Sequence, residues 1–185
     1  MKSFRLGLTA ILLCVAATTS RADQIGPGAV NSWTTIARPD VGKASVVLSG
    51  MLADKAIAAL PKHTTEDYSG YPGSKWHWGA IVNDAQWREF NKLAKLPPLA
   101  DMDWKTEIVA FVVFDAHTNA LGFASWSVDK KGGTLAYRHS GIEPAYRDVT
   151  PAVLVRVARI NTLNFVTQGD SKNVTKAATV LVSKP

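Results

Sequence analysis

Cysteine is almost missing from this 185-residue chain, with Cys14 its only example. One thiol excludes a disulfide framework and any zinc site built on clustered cysteines within the chain. Long apolar runs are missing too. The longest, over 6–17, is broken by Gly7 and Thr9 and falls short of the roughly 20 residues that a membrane-spanning helix needs. Like charges do not cluster either: the longest basic run is Lys130-Lys131, so no stripe suited to nucleic acid is visible. There is no G-x-S-x-G, S-x-x-K or phosphate-loop signature, so no standard nucleophile or nucleotide site is written in the chain.

What is present is apolar substance. The chain is 46% hydrophobic and 19% charged, too apolar for a disordered polymer. Its length fits one domain. The first 22 residues carry Lys2 and Arg5, then the apolar run, then Ser20-Arg21-Ala22 with small residues three and one before Asp23. That is the pattern of a cleaved secretory signal peptide over 1–22. The rival is a lipid-attachment signal using Cys14, disfavoured because the bulky Leu13 stands where a small residue is wanted. Cleavage removes three of the 21 basic residues and none of the 15 acidic ones, so the net charge falls from +6 to +3. The processed chain also loses its cysteine, in keeping with an oxidising compartment. A periplasmic or extracellular location follows as the expectation, with no stable membrane anchor.

Residues 23–185 read as a single α+β domain with a loose Gly/Pro-containing lead-in over 23–32. Strand character appears over 33–37, 44–52, 76–82, 107–114, 121–128, 134–139, 149–160 and 174–182. The segment 107–114 (EIVAFVVF) lacks alternation and is expected at the centre of a sheet, covered on both faces. Pro151 fits a strand start or an edge. A short helix is expected over 53–60, and 62–75 is read as a long loop. Asn83 or Asp84 caps a helix whose apolar face is Trp87, Phe90, Leu93, Ala94 and Leu96, ended by Pro97-Pro98. The segment 161–172 is polar. The expected architecture is a mostly antiparallel sheet of about six or seven strands with one main amphipathic helix packed on it.

The order of features over 83–160 carries a resemblance. It runs through Ala85-Gln86-Trp87 and Phe90, Pro97-Pro98, Asp101-Met102-Asp103-Trp104 and the 107–114 strand. A glycine turn and Leu135-Ala136-Tyr137 follow, then Glu143-Pro144 and Val149-Thr150-Pro151. This resembles the PrcB-type C-terminal domain, a small secreted module. The chain departs from the family pattern at Thr118-Asn119-Ala120-Leu121, where the family has Thr-Gly-Gly-Tyr. The resemblance implies a non-catalytic exported domain, in a family named for a component that stabilises a surface protease complex; it identifies no partner.

Among candidate site residues, 68–78 (YSGYPGSKWHW) is the most unusual stretch, with Tyr68, Tyr71, Trp76 and Trp78. Exposed, these rings would anchor a protein partner or stack on sugars. Alternatively Trp76 and Trp78 share one strand face and enter the core, with His77 outward. Asp115 and His117, in the DAHTN loop, are the remaining acid/base candidates. Asp101 and Asp103 are read as a solvated turn rather than a catalytic carboxylate pair. His63, His77, His117 and His139 show no metal-binding spacing, so neither a metal nor a cofactor is expected.

Three functions are therefore weighed. The leading one is an exported non-catalytic domain that binds or stabilises a protein or peptide in the cell envelope, using Tyr68, Tyr71, Trp76, Trp78, Asp115 and His117. The second is a cell-wall glycan-binding module. The third is a small hydrolase using Asp115 and His117. The signal-peptide reading predicts that exported material begins at Asp23. N-terminal sequencing of the secreted chain checks it, and retention of residues 1–22 would refute it.

Overall fold

The computed structural model describes residues 44–61, 64–67, 73–115, 119–142, 148–168 and 174–182. The expected strand over 33–37, the signal segment and the lead-in lie outside these residues. In chain order the elements are β1 (Ser45–Ala53), α1 (Asp54–Ile57), β2 (Thr64–Asp67), β3 (Lys75–Ile81), α2 (Asp84–Ala94), β4 (Glu107–Asp115), β5 (Asn119–Asp129), β6 (Gly132–Ile142), β7 (Val149–Ala158), β8 (Thr162–Gln168) and β9 (Val174–Leu181).

The strands divide into two sheets. Five form the order β1-β7-β4-β3-β2, and four form β5-β6-β8-β9. The expected α+β fold, one sheet carrying one main helix, is thereby corrected: the chain is mostly β, in two sheets. Two strands went unread in sequence. β2 lies in the expected long loop, and its four residues are all exposed, so it has no apolar period to betray it. β8 lies in the segment read as polar, where Leu163 and Phe165 alternate inward between polar neighbours. Alternation marks a strand but does not say which sheet the strand joins.

One core lies between the sheets. β3, β4 and β7 contribute Trp78, Ala80, Val112, Phe114, Val153 and Val155. The facing sheet contributes Trp126, Leu135, Tyr137, Leu163 and Phe165. A second core joins Leu48, Leu52, Val109, Phe111, Val113 and Leu154 to Trp87, Phe90 and Ala94 of α2. β4 supplies both, and Ile108 to Phe114 are all fully buried. The central, doubly covered position read from its composition is the one it occupies, between β7 and β3.

The pairs are antiparallel except β6–β8, which is parallel. A parallel pair needs a crossover, and here β7 supplies it by running through the other sheet. Pro151 pairs with Met51 of β1, but the β4 ladder reaches only Ala152. It therefore sits at the strand start, where a missing N–H breaks no ladder on the β4 side.

α1 is a single turn, shorter than the helix expected over 53–60. α2 begins as read, with the Asn83 side chain accepting from the Gln86 N–H at 2.9 Å. It stops before the prolines. Lys95 takes a left-handed φ of 57° and donates its N–H to Asn91 O. The Asn91 side chain then accepts from Leu96 N–H at 2.7 Å and donates to Leu96 O at 3.0 Å, fastening the chain as it leaves the helix.

Two arginines of the closing β7 segment hold the connector that follows. Arg156 forms a forked ion pair with Glu107, with contacts of 2.8 and 2.5 Å, and also donates to Ala100 O and Asp101 O. The guanidinium holds the Glu107 carboxyl below the ordinary glutamate value. Arg159 donates to Val82 O and Trp104 O. A planar guanidinium with five donors suits this bridging of several carbonyls.

The β5–β6 hairpin turns through Asp129, whose carboxylate accepts from Lys131 N–H at 2.7 Å. Gly132 has φ of 131°, and a Cβ on Gly133 would overlap the buried Trp126 ring and Ile160. Gly133→Ala is therefore expected to destabilise the fold by roughly 2 kcal/mol or more, as overpacking of a dense core does. Urea unfolding followed by tryptophan fluorescence measures it, and an unchanged midpoint would contradict the packing described.

Candidate functional site

The candidate residues gather around β3 because a strand sends alternate side chains to opposite faces. Trp76 and Trp78 point between the sheets, and both are buried, at 7% and 2% exposure. Trp76 stacks on Phe114, its cross-strand partner, with centroids 4.1 Å apart, and on Trp78 at 5.7 Å. Tyr137 lies 5.6 Å from Trp76, and His139 meets it edge-on at 5.8 Å. These two rings are a core wall, so the reading that exposed them to a partner or a sugar is corrected. The physical reason is the facing sheet, which supplies Tyr137 and Leu135 to cover them.

Trp78 Nε1–H donates to the Tyr137 hydroxyl at 3.0 Å, a buried bond across the two sheets. Burial pushes the Tyr137 phenol well above its ordinary value of 10. The Trp78 hydrogen bond opposes that rise, and the Glu66 charge adds to it. His77, expected to point outward, is instead 8% exposed on the other face of β3, with Thr65 Oγ1 3.4 Å from its Nδ1.

At one end of the five-stranded sheet three strands finish side by side. Asp67 pairs with Lys75, and Lys75 pairs with Asp115. Asp67, Lys75 and Asp115, which border the two stretches singled out in the sequence, therefore lie together at one edge of the sheet. Tyr68, Tyr71 and His117 themselves lie outside the described residues. Asp67 and Lys75 are exposed and Asp115 is half-buried. Glu66, opposite Trp76 on β2, and His139 on β6 are exposed and complete a polar rim above the buried rings.

Glu66, Lys75, Tyr137 and His139 were missed as neighbours of the site. A signal was available for Lys75, which alternates with Trp76, but none for the β6 residues, which come from the other sheet. Asp101 and Asp103 stand as a turn. Asp103 accepts from Lys105 N–H and from the Thr106 hydroxyl, which hold its carboxyl below the ordinary range. Among the described residues no group of three His, Cys, Asp or Glu is placed to hold a metal ion, and no helix is long and apolar enough to cross a membrane.

No family model matches the chain, and neither a curated protein nor a solved structure matches it.

Tyr137→Phe removes the hydroxyl that accepts from Trp78 Nε1–H and leaves a buried donor. A loss of about 1–3 kcal/mol is expected. Thermal unfolding with a Trp78→Phe, Tyr137→Phe double-mutant cycle checks it, and strict additivity would exclude a coupling between the two groups.

Proposed function

We propose that this chain is an exported, non-catalytic domain that binds or stabilises another protein or peptide in the cell envelope. The contact surface is the sheet end where β2, β3 and β4 finish. One observation carries the reading: the pairing of Asp67, Lys75 and Asp115 brings three strand ends together at one edge of the sheet. A rigid aromatic floor lies just beneath, formed by Trp76 and Phe114. Loops held on a stiff scaffold are the usual carriers of recognition. The mixed charges of Glu66, Asp67, Lys75 and Asp115 suit the polar rim of a protein interface better than a site for one strongly charged ligand. The resemblance to the PrcB-type domain and the signal-peptide pattern point the same way.

The glycan reading relied on Tyr71 and Trp76; burial takes Trp76 from it, and Tyr71 lies outside the described residues. The hydrolase reading retains Asp115 at the end of β4, while His117 lies outside the described residues.

Photo-crosslinking in cells that export the chain tests the proposal. A photoreactive amino acid is placed at position 75, 115 or 88, the last an exposed arginine on α2. Discrete adducts from positions 75 and 115, with none from 88, are expected. No adduct from either site, or the same adducts from all three, would overturn the proposed surface.

A further inference from the structure

Among the described residues two large hydrophobic side chains stand exposed, Val128 at 55% and Leu181 at 81%. They are far apart in sequence, yet the fold brings them to one end of the four-stranded sheet. Val128 pairs with Gly133, and Gly133 with Leu163. Leu163 pairs with Val180, the neighbour of Leu181. Three strand spacings of roughly 4.8 Å separate them, about 15 Å in all. At the same end the β5–β6 hairpin presents Lys130 and Lys131, both exposed. These two form the longest basic run in the chain.

Alternation shows how this end is presented. Trp126 lies in the core, so Val128, two positions on, takes the inner face of the sheet at its tip. Ala178 and Val182 lie in the core, so Leu181 takes the outer face. A single surface therefore touches both side chains only when it meets the sheet end-on. Asp129 is the acid of this tip, and its carboxylate accepts from Lys131 N–H within the turn. Against the two lysines it leaves one positive charge in excess. Asp101 and Asp103 belong to the connector over the second core, on the other face of the five-stranded sheet.

We infer that this sheet end rests on the surface of an anionic lipid bilayer. Val128 and Leu181 enter the headgroup layer, and Lys130 and Lys131 meet the lipid phosphates. Charge complementarity supplies the attraction, since basic residues close to an anionic leaflet are held there. Lysine stems lie along apolar surface while the ammonium groups stay in the polar layer. A protein partner fits this end less well, because protein interfaces favour aromatic residues and arginine and disfavour lysine. Two aliphatic side chains and a small net charge give reversible adsorption. β9 also runs past β2 and β3 of the facing sheet. Its Val174 end is the one near the rim, since Val174 pairs with Gln168, beside the Thr167 that pairs with Tyr137. Gly132 lies roughly 17 Å along β6 from Tyr137, at about 3.3 Å per residue. The lipid-facing end and the rim of the proposed partner site are thus at opposite ends of the sheet, and one can fail without the other.

Site-specific fluorescence on the full chain tests the inference. In a Cys14→Ser background, one cysteine is introduced as Val128→Cys, Leu181→Cys or Arg88→Cys and labelled with nitrobenzoxadiazole. Arg88 is an exposed control on α2. The vesicles are equal parts phosphatidylglycerol and phosphatidylcholine, at low ionic strength. The labels at 128 and 181 are expected to brighten and shift to the blue, and the label at 88 to stay unchanged. Vesicles of phosphatidylcholine alone are expected to shift none of them. Adding Lys130→Ser and Lys131→Ser is expected to weaken binding by about fivefold for each lysine. Titration of the label at 128 reads this, and far-ultraviolet circular dichroism establishes folding. No shift at 128 or at 181, an equal shift at 88, or unweakened binding of the folded lysine variant would overturn the inference. So would a shift with poly-glutamate and none with vesicles, which would assign this end to an acidic protein. Binding through residues 1–22 alone leaves the labels at 128 and 181 unshifted and counts against it too.

Discussion

β4 has to be dry on both faces at once, and the remaining structure is arranged to meet that demand. Its residues from Ile108 to Phe114 are fully buried, with alternate side chains going to the two cores. Burying each such side chain contributes roughly 1.5–3 kcal/mol relative to leaving it exposed. One covering layer cannot collect both halves of that gain. The four-stranded sheet covers one face, and α2 with the β1 and β7 side chains covers the other. β4 can hold this place because β7 and β3 flank it and use its backbone groups on either side.

The second core explains the polar network beside it. A helix laid across a sheet must be reached and left by chain that crosses the sheet end, and the 95–106 connector does this. Its carbonyls at Ala100, Asp101 and Trp104 accept hydrogen bonds from Arg156 and Arg159. Glu107 neutralises Arg156 within the same cluster. Asp101 takes a left-handed φ of 51° in this setting, a conformation that aspartate tolerates better than most residues. The charged residues of this region are therefore structural fasteners, with Asp103 engaged by Lys105 N–H and the Thr106 hydroxyl.

The first core gives the proposed partner surface its stiffness. Trp76, Trp78, Phe114 and Tyr137 are interlocked by ring contacts and by the Trp78–Tyr137 hydrogen bond. The strand ends at Asp67, Lys75 and Asp115 are therefore held at a fixed spacing by the cross-strand pairing beside this wall.

Much of the local structure was legible in the chain because local signals are carried by neighbouring residues. The Asn83 cap, the Trp87–Phe90–Ala94 face, the unbroken apolar run of β4 and the glycine turn before β6 are all contained within a few positions. β2 escaped because four exposed polar residues have no buried face, and β8 escaped because its inward pair, Leu163 and Phe165, is short and set among polar residues. The period of β3 placed Trp76 and Trp78 on one face together, but could not say whether water or another sheet lay there. That was decided by Tyr137, Leu135 and Phe165, which arrive from the far part of the chain. The same holds for His77, whose face is covered although its neighbours in sequence gave no sign of it. Sequence determined the segments whose apolar period is long enough to read; tertiary structure decided the rest and which segments share a sheet, because alternation sets two faces and only packing assigns each face its neighbour.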